Sequence, residues 1–354
     1  ILICSCYVWN WKRTYQIIQS IKLKYPNCLI IIGGPEPTYS SQWIIQNPEV
    51  DILIPYYGEV ILKSLLLENL NSRNYKSLPG IITKDFHNKD YIKPNLDDIP
   101  SPYLNGFFDN LIKNKQSKSV RSVFESNRGC PYSCTFCDIG SKQYQKVNCF
   151  DFQRCINEIE WMMKNNIVAI DVADANFGLF PIDEEIADHV IILKNKYLWS
   201  GRFLPTWSKS RGDRVLRIAK KIIRNKLDTI FGLSLQSLNK ETLSNIKRKN
   251  AFNLSELDNI VSIMNEDDIS TYTELIFPLP GDTLDNFTQG IYDVLDMKNV
   301  FTKFQVNQLS HFSNAEISQK KDEFNIQWRK IKGFTRHYYG DNSEDIIAVA
   351  SNHI

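Results

Sequence analysis

Residues 127–140 read NRGCPYSCTFCDIG and bring three cysteines, Cys130, Cys134 and Cys137, into one short segment at C-x3-C-x2-C spacing. Thiolates this close in sequence can converge on one soft metal centre, and iron–sulfur clusters are held by cysteine runs of this kind. A [4Fe–4S] cluster bound through three thiolates keeps one iron open, and an open coordination position is what a catalytic metal site requires. The spacing therefore predicts a [4Fe–4S] cluster held by these cysteines.

A structural zinc site is the alternative for the same three cysteines. It would need a fourth ligand, such as Cys149 or a histidine, and structural zinc loops usually pair one C-x2-4-C element with a second, distant pair. No such second pair follows in the sequence. The remaining five cysteines are scattered, and we expect them to behave as small buried hydrophobic residues: Cys4, Cys6, Cys28, Cys149 and Cys155.

Length and composition restrict the class of protein. The chain has 354 residues, enough for roughly two domains of ordinary size, with 43% hydrophobic and 23% charged residues, as in a soluble globular protein. A formal net charge of +2 is too balanced to indicate nucleic acid or an anionic membrane as the main partner. No apolar run approaches the ~20 residues of a membrane span, and no signal peptide is visible. We therefore expect a cytoplasmic protein.

The first 95 residues show two repeats of strand and helix. The chain opens at Ile1 in the apolar run ILICSCYVW, which indicates a fragment that lacks its N-terminal part. TYQIIQSIKLKY (14–25) then has helical spacing, and CLIII (28–32) predicts a buried strand that ends at Gly33-Gly34. The apolar faces predicted for the helix contain Ile17, Ile18, Ile21 and Tyr25.

A second unit follows, with a strand and turn in VDILIPYYGE (50–59) and an amphipathic helix in VILKSLLLENL (60–70). Residues 1–95 are therefore predicted to form part of a Rossmann-like (flavodoxin-like) domain, whose ligands bind at the carboxyl ends of the strands. Residues 96–120 contain Pro100, Pro102 and Gly106 before a lysine-rich run, which predicts a linker.

Residues 121–312 contain six predicted strands that alternate with helices, which predicts a parallel sheet wrapped by helices with its site at the carboxyl ends of the strands. The architecture expected is a partial (βα)6, TIM-barrel-like domain, and residues 313–354 form an incomplete C-terminal extension. The predicted strands are 119–126, 167–172, 202–207, 227–235, 270–277 and 303–309, and the predicted helices are 152–164, 183–196, 212–225, 253–265 and 283–297.

The cysteine segment, with Phe136 directly before Cys137, resembles the signature of the radical S-adenosylmethionine (SAM) enzymes. In that family the open iron chelates the amino and carboxylate groups of SAM, and electron transfer cleaves SAM to a 5′-deoxyadenosyl radical. The turns GGPEPT (33–38) and DILIPYYGE (51–59) resemble those flanking the corrin tail in the cobalamin-binding domain that precedes many radical SAM domains. The match departs at Glu36, where relatives often carry histidine, and at Tyr56-Tyr57.

The resemblance assigns roles to polar residues at the strand ends. Asp174 and Asn176 would bind the SAM amino group, although Asp and Asn after a strand are also ordinary turn residues. Pro278 replaces the usual glycine of the adenine-flanking strand and so removes a backbone donor. The other assignments are the SAM carboxylate or a helix cap for Ser208 and Lys209, ribose and methionine for Ser234 and Gln236, the carboxylate for Arg248, adenine for Gln305 or Asn307, and the corrin tail for Gly33, Gly34, Gly58 and Glu59.

The resemblance covers nearly the whole chain and implies a radical SAM enzyme, specifically a cobalamin-dependent methyltransferase. Its cofactors would be a [4Fe–4S] cluster, SAM and cobalamin, and its partners an electron donor such as flavodoxin or ferredoxin and an unknown small-molecule or peptide substrate. One alternative is a radical SAM enzyme without cobalamin that performs cyclisation, rearrangement or thiolation. Another is a non-catalytic Fe–S or zinc module.

Overall fold

The computed structural model describes residues 1–69, 78–114, 119–210, 212–248, 252–332 and 344–350. The described residues group into two compact units, each of which combines separate segments of the chain. The first unit combines residues 1–95, 135–143 and 310–350, and the second comprises 96–134 and 144–309. Cys137 thus belongs to the first unit, whereas Cys130 and Cys134 belong to the second. The linear division predicted from the sequence stays a prediction.

The first unit is built on a five-stranded sheet whose order follows the chain. The first three strands are parallel, and the last two add antiparallel to them. The strands are β1 (Leu2–Ser5), β2 (Ile30–Gly33), β3 (Ile52–Leu53), β4 (Ile82–Thr83) and β5 (Phe86–His87), and the helices are α1 (Trp11–Lys24), α2 (Ser41–Gln46) and α3 (Glu59–Ser64), which continues into a π-helical turn at Leu65–Asn69.

Both faces of this sheet are covered, as expected for a Rossmann-like domain. Successive side chains of a strand point to opposite faces. Accordingly Ile30 and Ile32 pack with Ile18 and Leu53, whereas Ile31 packs in a separate cluster with Ile52 and Ile61. The predicted apolar face of α1 was partly wrong, because only Ile18 is buried, while Ile17 is 47% and Tyr25 54% exposed.

The main strands of the second unit form two three-stranded parallel sheets, of order β10-β9-β6 and β11-β12-β13. A backbone hydrogen bond of 2.8 Å from Phe203 N to Leu227 O links β10 to the segment that enters β11. The strands are β6 (Arg121–Phe124), β9 (Ala169–Val172), β10 (Arg202–Leu204), β11 (Ile230–Gln236), β12 (Ser270–Phe277) and β13 (Lys303–Gln308), and the helices are α4 (Asp109–Lys113), α5 (Phe152–Lys164), α6 (Pro181–Tyr197), α7 (Gly212–Arg224), α8 (Lys240–Asn245), α9 (Leu254–Asn265) and α10 (Leu284–Leu295).

Local sequence signals set the helices of this unit. Asn253 and Glu256 form a reciprocal capping box at the start of α9, with bonds of 3.0 and 2.7 Å between their side chains and backbone N–H groups. In α5 the buried Ile156, Ile159 and Met163 and the half-buried Phe152 pack into the apolar core of the second unit. The strand and helix alternation thus forms the partial (βα)6 barrel that the sequence predicts.

The described chain also contains a short ladder, a short helix and a separate pair of strands. A two-stranded antiparallel ladder, β7 (Asn127–Arg128) with β8 (Asn148–Cys149), brackets the cysteine segment. Within the first unit, α11 (Glu316–Gln319) precedes an antiparallel pair, β14 (Gln327–Lys332) with β15 (Glu344–Ala350). No helix in the described part of the chain is both long and apolar enough to cross a membrane.

Candidate functional site

The cysteine segment leaves the barrel directly after β6, at the carboxyl end of that strand. Its base is closed by the β7–β8 ladder, in which Asn127 pairs with Cys149. Inside this ladder the backbone N–H of Cys130 donates to Tyr144 O at 2.8 Å. Gly129 has φ +114°, and a Cβ there would lie 2.6 Å from Tyr144 O. The glycine before Cys130 is therefore required by the close approach of two backbone segments.

Asp174 holds the chain where it enters this segment. Its carboxylate accepts hydrogen bonds from Ser126 N at 2.8 Å, from Asn127 N at 3.1 Å and from the Ser126 hydroxyl. The side chain is 1% exposed, and burial raises the pKa of Asp174 to about 7 against the opposing effect of these hydrogen bonds. Both carboxylate oxygens thus anchor the loop, and a contact of Asp174 with the SAM amino group stays a prediction.

Asn176, two residues further along the same turn, contacts a cysteine directly. Its side-chain Nδ2 donates to Cys130 Sγ at 3.2 Å, and the residue is only 5% exposed. The resemblance assigns Asn176 to the SAM amino group, a contact that stays a prediction, and the structure brings its amide to the sulfur of a predicted cluster ligand.

The cysteines themselves have the chemistry that an iron–sulfur cluster needs. Cys130, Cys134 and Cys137 are half-buried, and none of the eight cysteines, all within the described ranges, forms a disulfide. Among the described residues no group of three or more His, Cys, Asp or Glu side chains stands close enough to hold one metal ion. The three-thiolate site therefore stays a prediction from the cysteine spacing. The three free thiols and the hydrogen bond from Asn176 to Cys130 Sγ agree with it.

The other cysteines divide in their environments. Cys6 and Cys155 are buried, as expected for small hydrophobic residues, and burial raises the pKa of each thiol to about 12. Cys149 is exposed, so the expectation of burial was wrong for this residue. Cys149 lies in β8, a two-residue strand of the two-stranded sheet β7–β8, and not in a helix or strand of the larger sheets.

Ser208, at the end of β10, makes local contacts. Its backbone N–H donates to Phe177 O at 2.9 Å and its Oγ accepts from Ser210 N at 3.3 Å, while the side chain is 1% exposed. Lys209 beside it is half-buried. Ser208 thus makes local contacts with Ser210 and Phe177, and both roles assigned to Ser208 and Lys209, the SAM carboxylate and the cap of the following helix, stay predictions.

Ser234, Gln236 and Arg248 come together at the end of β11. Arg248 is 6% exposed and its Nη2 donates to the backbone oxygen of Ser234. Gln236 is 4% exposed, lies at an irregularity of the β11–β12 ladder and has φ +72°. Its Oε1 is buried and has no hydrogen-bond partner among the described residues. A strained residue with an unsatisfied buried acceptor indicates a site that a ligand donor completes.

Glu274 is a site residue that the sequence analysis missed. Its Oε2 accepts from Tyr272 OH at 2.7 Å and from Asn307 Nδ2 at 2.8 Å, and Gln236 Nε2 lies 3.4 Å from its Oε1. Burial alone would raise the pKa of Glu274, but these bonds, with one from Ser234, outweigh it and hold the pKa below its usual range. Glu274 is therefore an anionic centre on this sheet.

The strand pattern carries the signal that could have identified this residue. In β12 the buried Thr271, Thr273 and Leu275 share one face, so Tyr272 and Glu274 share the other. On β13, Gln305 Nε2 donates to Asn307 Oδ1 at 2.5 Å. The two residues assigned to adenine thus belong to the network around Glu274, and their contact with adenine stays a prediction.

The first predicted corrin turn is held by the fold of the first unit. Gly34 has φ +93°, and a Cβ there would lie 2.4 Å from Cys6 O and 2.6 Å from Cys6 N. Cys6 N donates to Gly33 O at 2.8 Å, and Glu36 N donates to Cys6 O at 3.1 Å. Burial, with the nearby charge of Asp138, raises the pKa of Glu36 to about 7. Glycine is thus required at position 34 by the close approach of the backbone of Cys6, the residue that follows β1.

A residue from the C-terminal part of the first unit clamps the same turn. Asn314 Nδ2 donates to Pro35 O at 2.8 Å and to Pro37 O at 2.9 Å, and Asn314 Oδ1 accepts from Tyr39 N at 3.3 Å. Both the nitrogen and the oxygen of the Asn314 side-chain amide therefore form hydrogen bonds with the turn of residues 35–39. Nothing in the local sequence around Asn314 signals this role.

We expect Asn314→Ala to loosen this turn, because two carbonyl oxygens and one N–H lose their partner. The loss should be about 1–3 kcal/mol of local stability, the range for buried polar groups left unsatisfied. Amide hydrogen exchange at Tyr39 measures it directly, and Asn88→Ala, which removes only a local 3.0 Å bond from Asp90 N, is the matched control. Unchanged amide exchange at Tyr39 in Asn314→Ala would show that the Asn314 side chain does not stabilise this turn.

The second predicted corrin turn lies at the start of α3. Gly58 is the residue before the helix, with φ −88°, and a Cβ there would lie 3.2 Å from Ile54 Cγ2. Glu59 occupies the first turn of α3, where a carboxylate interacts favourably with the helix dipole. Both residues have structural roles, and their contact with a corrin tail stays a prediction.

Comparison with known proteins places this architecture. No family model matches the chain. The cobalamin-dependent radical SAM methyltransferase TokK of Streptomyces tokunonensis is 33% identical over 92% of this chain and 49% of its own length. A 2-(S-pantetheinyl)-carbapenam-3-carboxylate methyltransferase of Streptantibioticus cattleyicolor is 33% identical over 90% of this chain and 48% of its own.

Two solved structures share the fold. TsrM from Kitasatospora setae, with cobalamin and a [4Fe–4S] cluster bound, gives a TM-score of 0.70 at 13% identity over 92% of this chain and 66% of TsrM. OxsB, with aqua-cobalamin and SAM bound, gives 0.64 at 16% identity over 90% of this chain and 46% of OxsB. Over at least 90% of its length the chain is thus similar to a cobalamin-dependent radical SAM methyltransferase and to a carbapenam-carboxylate methyltransferase, and it shares the fold of two cobalamin-binding radical SAM proteins. The chain spans about half the length of the curated relatives it matches.

Proposed function

We propose that this chain forms the catalytic core of a cobalamin-dependent radical SAM methyltransferase that cleaves SAM to a 5′-deoxyadenosyl radical. The observation that carries the proposal is the C-x3-C-x2-C loop at the carboxyl end of the first barrel strand, with the Asn176 amide on the sulfur of Cys130. The identity of 33% to two methyltransferases over at least 90% of the chain supports the same function.

In this proposal Cys130, Cys134 and Cys137 hold a [4Fe–4S] cluster, which when bound supplies the electron that cleaves SAM. The protein contributes the geometry. Asp174 fixes the entry to the loop through Ser126 and Asn127, and the β7–β8 ladder fixes its base. Phe136, half-buried next to Cys137, is proposed to shield the cluster from water.

SAM is proposed to bind along the strand ends of the second unit. The unsatisfied Oε1 of Gln236 and the anionic Glu274 offer acceptors to a ligand that carries hydroxyl or ammonium donors. Arg248 offers a guanidinium, which suits a carboxylate. Among the polar residues assigned by resemblance, Gln236 is the one whose buried acceptor most directly supports a bound ligand.

Arg248→Ala should weaken SAM binding by about 1.5–3 kcal/mol, the range for hydrogen bonds to charged groups, or roughly 10- to 150-fold in Kd. Equilibrium binding of SAM to the reconstituted protein measures the effect. Arg224→Ala is the control, because Arg224 is an exposed residue of α7 paired with Asp267 at 2.6 Å. An unchanged Kd in Arg248→Ala would take the guanidinium out of the SAM site.

Cobalamin is proposed as the second cofactor, with its nucleotide tail near the turns that follow β2 and β3. The cobalamin dependence of TokK supports this, whereas the glycines of both turns are already explained by the packing of Cys6 and Ile54. An electron donor such as flavodoxin or ferredoxin, a small-molecule or peptide substrate, and a cytoplasmic location complete the proposal.

The cobalamin part has its own experiment. The full-length parent protein is incubated anaerobically with hydroxocobalamin, desalted, and its visible spectrum recorded. One corrin per chain is expected. A parent that takes up no corrin but still cleaves SAM would favour the alternative, a radical SAM enzyme without cobalamin that performs cyclisation, rearrangement or thiolation.

A further inference from the structure

We propose that Asn176 is a positioning residue for the iron–sulfur cluster: its side-chain amide holds the sulfur of Cys130 and raises the reduction potential of the cluster. The inference rests on the proposed function and deepens it, because it moves Asn176 from the SAM amino group to a cluster ligand. The observation is the 3.2 Å hydrogen bond from Asn176 Nδ2 to Cys130 Sγ.

The amide is held in place by the turn that follows β9. Ala173 N donates to Phe124 O at 2.8 Å, which extends the β6–β9 pairing beyond the strand ends. Asp174 then bonds Ser126 and Asn127, and Leu179 N donates to Asn176 O at 3.2 Å. The backbone of Asn176 is thus fixed on both sides, and its side chain has little freedom to turn away from the sulfur.

Cys130 is fixed from the opposite direction. Its N–H donates to Tyr144 O at 2.8 Å, and the preceding Gly129 packs against the same backbone oxygen. The backbone and the sulfur of this cysteine are therefore both positioned by the second unit. A ligand placed in advance in this way lowers the ordering cost of cluster assembly.

The electrostatic consequence follows from the buried position of the bond. A hydrogen bond to a ligating sulfur stabilises the negative charge that the cluster gains on reduction, so it raises the reduction potential. Asn176 is 5% exposed, so water has little access to replace the amide if the side chain is removed. Loss of the donor should then shift the potential to a more negative value.

The experiment uses the full-length protein, reconstituted anaerobically with iron and sulfide. Asn176→Leu removes the donor at similar volume, and Asn176→Asp keeps the shape while replacing the donor with an acceptor. The control is Asn165→Leu, which removes a comparable amide from the C-terminal end of α5, where it donates to Trp161 O at 2.8 Å. The readouts are iron content, the midpoint potential from an EPR-monitored dithionite titration, and the Kd of SAM.

Both Asn176 variants should have a more negative midpoint potential than the unsubstituted protein, and the shift should be larger for Asn176→Asp. The Kd of SAM should change less than about twofold in both. Asn165→Leu should have the potential and the Kd of the unsubstituted protein. If Asn176→Leu fails to fold, the isosteric Asn176→Asp decides. An unchanged potential in the variants that fold overturns the inference, whatever happens to SAM binding. A parent that assembles no cluster overturns the proposed function itself, which is a separate and distinguishable result.

Discussion

Replacing Cys134 by alanine is expected to abolish cluster binding. Two remaining thiolates leave two irons of a cubane without protein ligands, and the half-buried loop offers oxygen and water access to them. After anaerobic reconstitution the parent should carry close to four irons and four sulfides per chain, as a cubane cluster requires. In Cys134→Ala the visible absorption and the iron content should both fall to the background level.

Cys155→Ala is the matched control for this experiment. Cys155 lies in α5, is 1% exposed and belongs to the apolar core of the second unit. Its loss should cost some stability through a small cavity but leave the iron content unchanged. Full iron content in Cys134→Ala would contradict the three-thiolate site, and so would a parent that binds one zinc and no iron.

Gly34→Val is expected to disrupt the first unit. A Cβ at Gly34 would overlap the backbone of Cys6 at 2.4 Å, and φ +93° is a conformation that a β-branched residue does not adopt without strain. Strain and overpacking together should cost roughly 3–5 kcal/mol. Hydrogen exchange of the β1 and β2 amides measures this loss locally.

Gly290→Ala provides the contrast. Gly290 lies inside α10, and the nearest atom to an added Cβ is Leu238 Cβ at 3.9 Å, so the methyl group fits. Helix propensity predicts a gain of about 0.5–1 kcal/mol.

A Gly34→Val protein with native exchange in β1 and β2 would contradict the described turn. Because Gly34→Val is expected to damage the fold of the first unit, a loss of corrin binding in this variant would not show whether Gly34 contacts cobalamin.

The architecture could be predicted from the sequence because strand and helix periods are local. Ile30, Ile31 and Ile32 read as a strand buried on both faces, and the structure places them in two separate clusters. Asn253 and Glu256 similarly mark the start of α9. Where the pattern was ambiguous, as with Ile17 and Ile18 in α1, adjacent residues could not share one helix face, and only tertiary packing decided which was buried.

The roles of individual site residues were less predictable, because they depend on long-range contacts. Asp174 and Asn176 were recognised as a polar pair after a strand, but their partners Ser126 and Cys130 lie 48 and 46 residues away. Asn314 clamps a turn 275 to 279 residues earlier in the chain. No local pattern reports such pairings, whereas Glu274 could have been found from the alternation along β12.

The grouping of residues 135–143 and 310–350 with the first 95 residues has the same cause. Ile317 N donates to Thr135 O at 2.9 Å, and Asn314 bonds Pro35 and Pro37. These bonds join three distant parts of the chain within one unit. Composition and turn residues divide a sequence only into consecutive segments, so they do not report contacts between segments that are distant in the chain.

The most direct test of the proposed function is the fate of SAM on the reduced protein. The full-length parent is reconstituted anaerobically with iron and sulfide, reduced with dithionite and incubated with SAM, and the products are separated chromatographically. We expect 5′-deoxyadenosine to accumulate, and none to form with Cys134→Ala. A parent that holds a full cluster, binds SAM and yields no 5′-deoxyadenosine would contradict the account.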